Sequence, residues 1–311
     1  QNNLLEKVFK LSEHGTNVKT EIIAGITTFM TMAYILAVNS NMLAEAGMDA
    51  GAVFVATALS ATISCFVMAF LSNYPIALAP GMGLNAFFAY TVVLQMGYTW
   101  QMALLGVFIE GVLFIILTVT SLREQIINCI PKDLKNAVTA GVGLFIASVG
   151  MTNAGIINTA NGTLALSSLH DPLVVLSVVG LGIAGILVCR NVRGALLLSI
   201  LLTSAIGMLT GIVTLPTKIV SLNVPSLAPT FMQAFSVPLE KIFSLDMVIV
   251  VFTFLFMDLF DSVGFLVGVA AKGNLIDENG KIPKAKQAML ADAIGTTVGA
   301  VLGTSTVTCF M

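Results

Sequence analysis

Two carboxylates lie in the middle of a long apolar segment, 248–268, with the sequence VIVVFTFLFMDLFDSVGFLVG. Because about 20 residues suffice for a helix to cross the hydrocarbon layer, this segment is long enough to span a membrane. Asp258 and Asp261 are three residues apart, so a helix presents both on one face. A charge at bilayer depth costs about 2.5–3.5 kcal/mol on insertion scales. The pair therefore indicates that the two carboxylates serve a polar cavity, unless the segment is not a membrane helix.

The composition of the chain decides between these alternatives. Of its 311 residues, 57% are apolar and 10% are charged, whereas soluble domains average about 25% charged residues. We therefore predict an all-α polytopic membrane protein. A net charge of −2 without a basic tract predicts no nucleic-acid partner. Four scattered cysteines and two histidines outside the apolar segments predict no disulfide framework, no metal site and no intramembrane enzyme.

The apolar stretch 74–94 contains a second feature of functional interest, a break at Pro80 and Gly81 followed by Asn85. Proline and glycine interrupt a helix, and irregular backbone is not tolerated where it faces lipid. Transporters bind their substrates at discontinuous spans of this kind. A re-entrant loop or a kinked helix with a structural role is the alternative.

Glu110 lies inside the next apolar segment, at about 101–120. An intramembrane glutamate can hold a proton, or it can be the structural partner of polar groups on a neighbouring helix. The sequence leaves both roles open.

The order of the apolar segments predicts an internal repeat. The chain opens with two helices and a broken stretch, and from residue 248 it runs through two helices into GTSTVTCFM. Seven spans separate the two starts, and an odd number inverts the second copy, as in inverted-repeat transporters. We expect an amphipathic N-terminal segment (1–21), a first seven-span repeat (22–214), an outer connection (215–245) and a partial second repeat (246–311).

The loop charges predict the orientation. With the N-terminus in the cytoplasm, twelve of the fourteen basic residues fall on the inner side, and only Lys218 and Lys241 fall outside. This distribution follows the positive-inside rule. We therefore predict a multi-pass protein of the plasma membrane with a cytoplasmic N-terminus.

Five segments resemble one family, the nucleobase:cation symporters of the azaguanine-type hypoxanthine/guanine/adenine permease branch. They are AGITTFMTMAYILAVN (24–39), ALAPGMGLNAFFAYTVV (77–93), LKNAVTAGVGLFIASVGMTNAGII (134–157), FMDLFDSVGFLVG (256–268) and ADAIGTTVGAVLGTSTVT (291–308). The resemblance implies fourteen spans in two inverted seven-span repeats. It implies that the third and tenth spans are discontinuous, part strand and part helix, with the purine between them. A homodimer is a further implication.

The resemblance also implies the site residues. The family's polar residue of the third span falls on Asn85, and its carboxylates of the eighth span fall on Asp258 and Asp261. Carboxylates accept the N–H groups of a purine, and an amide both donates and accepts. Phe87 is expected to stack on the ring or to pack against a helix, and Thr306 to line the extended part of the tenth span.

The predicted function is import of purine nucleobases (hypoxanthine, guanine, adenine) by proton symport. The proton would be held by Asp258, Asp261 or Glu110, and no cofactor other than this coupling ion is expected. An anion transporter or channel of the same architecture is an alternative, disfavoured because acidic residues without Lys or Arg lie in the central span. An inactive fragment of a permease is another.

Three departures from the family pattern stand out. Ser40 follows Asn39 where the family has proline, and Phe265 stands where it usually has threonine. The sequence also ends at Met311, before the position of a substrate-binding glutamate in the family. We therefore expect a chain truncated at its C-terminus, with an incomplete second repeat.

Overall fold

Helices make up most of the computed structural model, which describes residues 4–120, 122, 131–158, 165–168, 170–192, 194–214, 223–272 and 283–310. The helices are α1 (Leu4–Phe9), α2 (Val18–Met32), α3 (Ile35–Glu45), α4 (Ala50–Leu71), α5 (Met82–Ala86), a π-helix (Phe87–Gln95), α6 (Trp100–Val119), α7 (Lys132–Asn153), α8 (Pro172–Cys189), α9 (Ala195–Leu209), a 3₁₀ turn (Gln233–Ser236), α10 (Leu239–Ile242), α11 (Leu245–Lys272) and α12 (Ala285–Leu302). The strands are β1 (Ala77–Pro80), β2 (Ile157–Asn158), β3 (Ala165–Leu166) and β4 (Val307–Phe310).

Several helices have the length and composition of membrane spans. In the described part of the chain, four segments are long and apolar enough to cross a bilayer: Val18–Glu45, Ala50–Leu71, Trp100–Val119 and Pro172–Cys189. Shorter apolar helices occur at Met82–Gln95, Gly143–Asn153 and Ala195–Leu209. The sequence-based prediction of a mainly helical chain with several spans is therefore confirmed.

The apolar segment 22–39, with which the predicted first repeat begins, is not one continuous helix. Helix α2 ends at Met32 and α3 begins at Ile35. Within α2 the hydroxyl groups of Thr28 and Thr31 donate to the carbonyl oxygens of Ala24 (3.0 Å) and Thr28 (2.6 Å). Such hydroxyl bonds to the preceding turn bend helices. The break follows directly after them, without a proline or glycine.

The described residues belong to two compact units. The first consists of 1–34 and 147–222, and the second of 35–146 and 223–311. The predicted repeats concern internal symmetry, which these units do not test, so their boundaries stay a prediction. Of the predicted connection, 215–222 lies outside the described residues, and the remainder carries the 3₁₀ turn and α10.

In the first unit, α8 and α9 pack closely against each other through small residues. A β-carbon on Gly180 would lie 2.8 Å from the side chain of Thr203, and one on Gly207 would lie 2.8 Å from that of Leu176. Small residues allow membrane helices to approach in this way. Strands β2 and β3 form a short antiparallel pair.

In the second unit, α12 packs between α4 and α6. Gly295 of α12 faces Ser64 of α4, whose β-carbon would be 3.0 Å from an added β-carbon. Gly111 of α6 faces α12, and a β-carbon there would lie 2.9 Å from the backbone nitrogen of Thr297. The three helices are therefore held at distances that only these glycines permit.

Replacing Gly111 by alanine tests this close packing. The added methyl group meets backbone atoms of Thr297, and overpacking of this kind costs about 1–3 kcal/mol. We expect a lower thermal midpoint for the purified Gly111→Ala protein in detergent. Gly182→Ala is the matched control, because it adds the same methyl group to a helix with nothing within 4 Å. Equal midpoints for the two variants would contradict the interpretation.

Strands β1 and β4 form an antiparallel pair in which Pro80 lies opposite Val307 and Leu78 opposite Cys309. The N–H of Gly81 donates to the carbonyl oxygen of Thr306 (3.1 Å). Because bonded positions alternate along antiparallel strands, Pro80 occupies a position where no N–H is needed for the pairing. The proline is thus accommodated within the strand.

Helix side chains bind the outward-facing backbone groups of this strand pair. The thiol of Cys65 lies 3.2 Å from the nitrogen and 3.4 Å from the carbonyl oxygen of Leu78. The hydroxyl group of Thr296 donates to the carbonyl oxygen of Val307 (2.9 Å). Buried backbone groups need such partners. A two-stranded ribbon can therefore persist among membrane helices.

Candidate functional site

Three buried polar side chains meet between α11 and α12. Asp258 and Ser262 lie on α11 and Asp292 lies on α12, with exposed fractions of 0%, 3% and 1%. The hydroxyl oxygen of Ser262 lies 2.6 Å from Asp292 Oδ2 and 3.2 Å from Asp258 Oδ1. A hydroxyl group has one hydrogen to donate. The hydroxyl hydrogen therefore goes mainly to the nearer oxygen, that of Asp292, and the contact with Asp258 is the longer of the two.

Asp261 has different surroundings, although it lies three residues beyond Asp258. Its side chain is accessible by surface area, although protein atoms surround much of it, and it accepts a hydrogen bond from Thr308 of β4. Its Oδ2 is also near Gly81, at 3.7 Å from the position of an added β-carbon. The two aspartates thus do not share one environment: Ser262 links the first to Asp292 of α12, and the second lies beside β4.

Glu110 of α6 is fully buried, and its Oε2 accepts a hydrogen bond from the hydroxyl group of Thr306 (3.0 Å). Thr306 directly precedes β4, and its carbonyl oxygen accepts from Gly81. This contact gives Glu110 a polar partner on a neighbouring element, which is one of the two roles that the sequence left open. The proton-binding role stays a prediction.

Asn85 belongs to a chain of buried hydrogen bonds. Ser305 donates to Asn85 Oδ1 (2.5 Å) and lies 3.5 Å from Asn39 Oδ1. Asn39 Nδ2 in turn lies 2.7 Å from the hydroxyl oxygen of Thr57 and 2.9 Å from that of Thr304. These hydrogen bonds join α3, α4, α5 and the segment between α12 and β4. Asn85 Nδ2 is buried and has no hydrogen-bond partner among the described residues.

Phe87 begins the π-helix and packs edge-on against Phe254 of α11, with ring centroids 5.0 Å apart and planes at 85°. Phe88 lies 6.3 Å from the same ring. π-Helical segments are rare and occur often at functional sites. The contact with Phe254 favours the packing role of Phe87, and stacking on a ligand stays a prediction.

Sequence reasoning assigned no role to Ser262, Asp292, Asn39 or Ser305. Ser262 follows Asp258 by four residues, a helical spacing that could have revealed their contact. Asp292 and Asn39 are polar residues inside apolar spans, which is a signal in itself. Ser305 carried no such signal, because only the pairing of β4 with β1 brings it to Asn85.

Comparisons with known proteins place the whole chain among permeases. The model of a permease family matches residues 19–311. A putative permease of Methanocaldococcus jannaschii is 48% identical over 99% of this chain and 70% of its own length. The guanine/hypoxanthine permease PbuG of Bacillus subtilis is 48% identical over 99% of this chain and 71% of its own length. The adenine permease AdeP of Escherichia coli is 42% identical over 99% of this chain and 68% of its own length.

A solved structure has a similar fold. It is the transmembrane domain of a cyanobacterium bicarbonate transporter, BicA, with a TM-score of 0.62 and 16% sequence identity. The similarity covers 94% of this chain and 74% of that domain. At this identity the likeness concerns the fold alone.

Proposed function

Because the chain belongs to the permease family, we propose that it imports purine nucleobases by proton symport, with Asn85 and Asp258 as principal binding residues. The family match and the relatives confirm the resemblance to nucleobase permeases that the sequence shows. The chain is therefore a membrane transporter and not an enzyme.

One observation supports purine nucleobases as the substrate class. Relatives at 42–48% identity over nearly the whole chain are guanine/hypoxanthine and adenine permeases. The geometry supports a nucleobase, since a buried amide nitrogen on α5 is a donor and a buried carboxyl group on α11 is an acceptor. Helices α5 and α11 are in contact. Purines offer complementary acceptors and N–H groups.

Proton coupling is supported by the buried acids. Asp258 and Asp292 both contact the hydroxyl group of Ser262, so the two carboxyl groups are neighbours, and two ionised carboxylates that share a site repel each other. Lys284 and Lys286, at the start of α12, donate to backbone carbonyl oxygens at the ends of neighbouring helices. Lys284 donates to Ser72 (3.3 Å) and Lys286 to Val119 (2.8 Å). A proton is thus the natural means of neutralising the acids.

The finer architecture is part of the proposal. The third span consists of β1, α5 and the π-helix, and β4 pairs with β1 in antiparallel orientation. Two broken spans related by inversion would meet in this way. We infer an inverted seven-span repeat with discontinuous third and tenth spans, a cytoplasmic N-terminus in the plasma membrane, and a homodimer.

An anion transporter is the competing function. The similarity in fold to a bicarbonate transporter gives no information about the substrate of this protein. Glu110, Asp258 and Asp292 are all buried in the second unit. Each of these groups that is ionised would repel an anion, which disfavours this alternative.

Uptake of labelled hypoxanthine tests the proposal. The gene is expressed in cells that lack their own purine permeases. We expect saturable uptake that excess guanine or adenine inhibits and that a protonophore abolishes. A protein that reaches the membrane and takes up no purine, or whose transport is inhibited by bicarbonate instead, would contradict it.

A further inference from the structure

We propose that Ser305 determines the nucleobase specificity of the site by fixing the Asn85 amide as a hydrogen-bond donor. In this arrangement Asn85 recognises an acceptor on the base, either an exocyclic carbonyl group or a ring nitrogen. The inference rests on the proposed function, because it assigns how that site selects its substrate.

The distance between the two side chains fixes the orientation of the amide. Ser305 Oγ and Asn85 Oδ1 are 2.5 Å apart. An O–H···O bond spans 2.5–3.0 Å, whereas an N–H···O bond spans 2.7–3.2 Å. If the amide were turned by 180°, its nitrogen would lie at 2.5 Å, short of the usual N–H···O range, and the two side chains would have to move apart. The amide oxygen therefore faces Ser305, which donates to it.

Neighbouring bonds hold Ser305 in this position. The backbone nitrogen of the preceding residue, Thr304, donates to the carbonyl oxygen of Gly299 (2.8 Å). The hydroxyl group of Thr304 accepts from Asn39 Nδ2 (2.9 Å). The other acceptor near Ser305, Asn39 Oδ1, is 3.5 Å away. A hydroxyl group donates one hydrogen, and that of Ser305 goes to Asn85 Oδ1 because this oxygen is the nearer acceptor.

The fixed amide presents its nitrogen to whatever enters the site. Asn85 is fully buried, and its Nδ2 has no hydrogen-bond partner among the described residues. An unsatisfied buried donor costs about 1–3 kcal/mol, so a ligand with an acceptor at this point is favoured over one without. Without the Ser305 hydroxyl group the amide could turn and present its oxygen instead. Asn85 would then accept where it now donates.

Inhibition of hypoxanthine uptake by analogues in which one acceptor is weakened or absent tests the proposal. The analogues are 6-mercaptopurine, whose thione form keeps N1–H but replaces the C6 oxygen with a much weaker acceptor, and the 3-, 7- and 9-deaza forms of hypoxanthine. In the unaltered protein we expect one analogue to inhibit at least ~10-fold more weakly than hypoxanthine, as an unmet donor predicts. Weaker inhibition by 6-mercaptopurine identifies the carbonyl group as the acceptor, and weaker inhibition by a deaza form identifies the ring nitrogen that this form lacks.

In Ser305→Ala this difference is expected to shrink to less than about threefold, as the amide becomes free to turn. Ser64→Ala is the matched control, because Ser64 is equally buried but its hydroxyl group bonds within its own helix, to Ser60 O. That variant should discriminate like the unaltered protein. If Ser305→Ala does not reach the membrane, Ser305→Cys, a weaker donor of similar size, should reduce the discrimination.

The outcomes separate this inference from the proposed function. Absence of hypoxanthine uptake by the unaltered protein would overturn both. Normal uptake without a discriminated analogue, or with discrimination unchanged by Ser305→Ala or Ser305→Cys, would overturn the role of Ser305 alone.

Discussion

Asp258→Asn is expected to lower uptake of labelled hypoxanthine at least ~100-fold while the protein still reaches the membrane. The amide keeps the size of the carboxyl group and can still bond to Ser262, so folding should be retained. It cannot release or take up a proton, and it lacks the charge-assisted bonds, each worth about 1.5–3 kcal/mol, that a carboxylate makes to N–H donors. Loss of coupling and loss of binding therefore act together.

The measurement is initial uptake normalised to the amount of protein in the membrane fraction. Asp49→Asn is the matched control. Asp49 caps α4 by accepting from the backbone nitrogen of Ala52 (2.7 Å), and asparagine caps helices as well as aspartate does. Uptake by Asp49→Asn should remain within about twofold of normal, since replacing an exposed capping aspartate by asparagine changes stability little. Undiminished transport by Asp258→Asn would remove this aspartate from the site.

Local chemistry explains which features the sequence could predict. Proline and glycine at Pro80–Gly81 break any helix wherever the chain lies, and the break is found there. A carboxyl group within an apolar run needs a polar partner, and Asp258 has one in Ser262. Both conclusions depend on a few adjacent residues.

Features that arise from distant parts of the chain were outside the reach of sequence reasoning. The β1–β4 register joins residues such as Leu78 and Cys309, and no periodicity in either segment specifies the other. Helical spacing placed Asp258 and Asp261 on one face, yet only Asp258 is fully buried, and Ser262 links it to Asp292 of the neighbouring helix α12. The identity of the neighbouring helix, rather than the spacing, gives the two aspartates their different environments.

Gly303→Ala is expected to destabilise the protein more than any other glycine-to-alanine change considered above. Gly303 ends α12 with a φ of +98°, a region that residues with a β-carbon rarely adopt. An added β-carbon would also lie 2.7 Å from the carbonyl oxygen of Thr230. Backbone strain costs about 1–3 kcal/mol, and the overlap adds about 1–3 kcal/mol.

Function should fail together with stability in this variant. Gly303 leads directly into Thr304, Ser305 and Thr306, which bond to Asn39, Asn85 and Glu110. A shift of a few tenths of an ångström at Gly303 would lengthen these bonds, since the segment between α12 and β4 is short. We therefore expect loss of hypoxanthine uptake even in the fraction of protein that reaches the membrane.

The thermal midpoint of the purified protein in detergent and uptake per membrane-inserted molecule are the two measurements. Gly97→Ala separates the causes, because Gly97 also has a positive φ (+73°) but nothing lies within 4 Å of its added β-carbon. It should show the backbone cost alone, with a smaller fall in the midpoint and uptake largely retained. If both variants lost the same stability, the contact with Thr230 would be irrelevant, and the strain at φ would account for the whole effect.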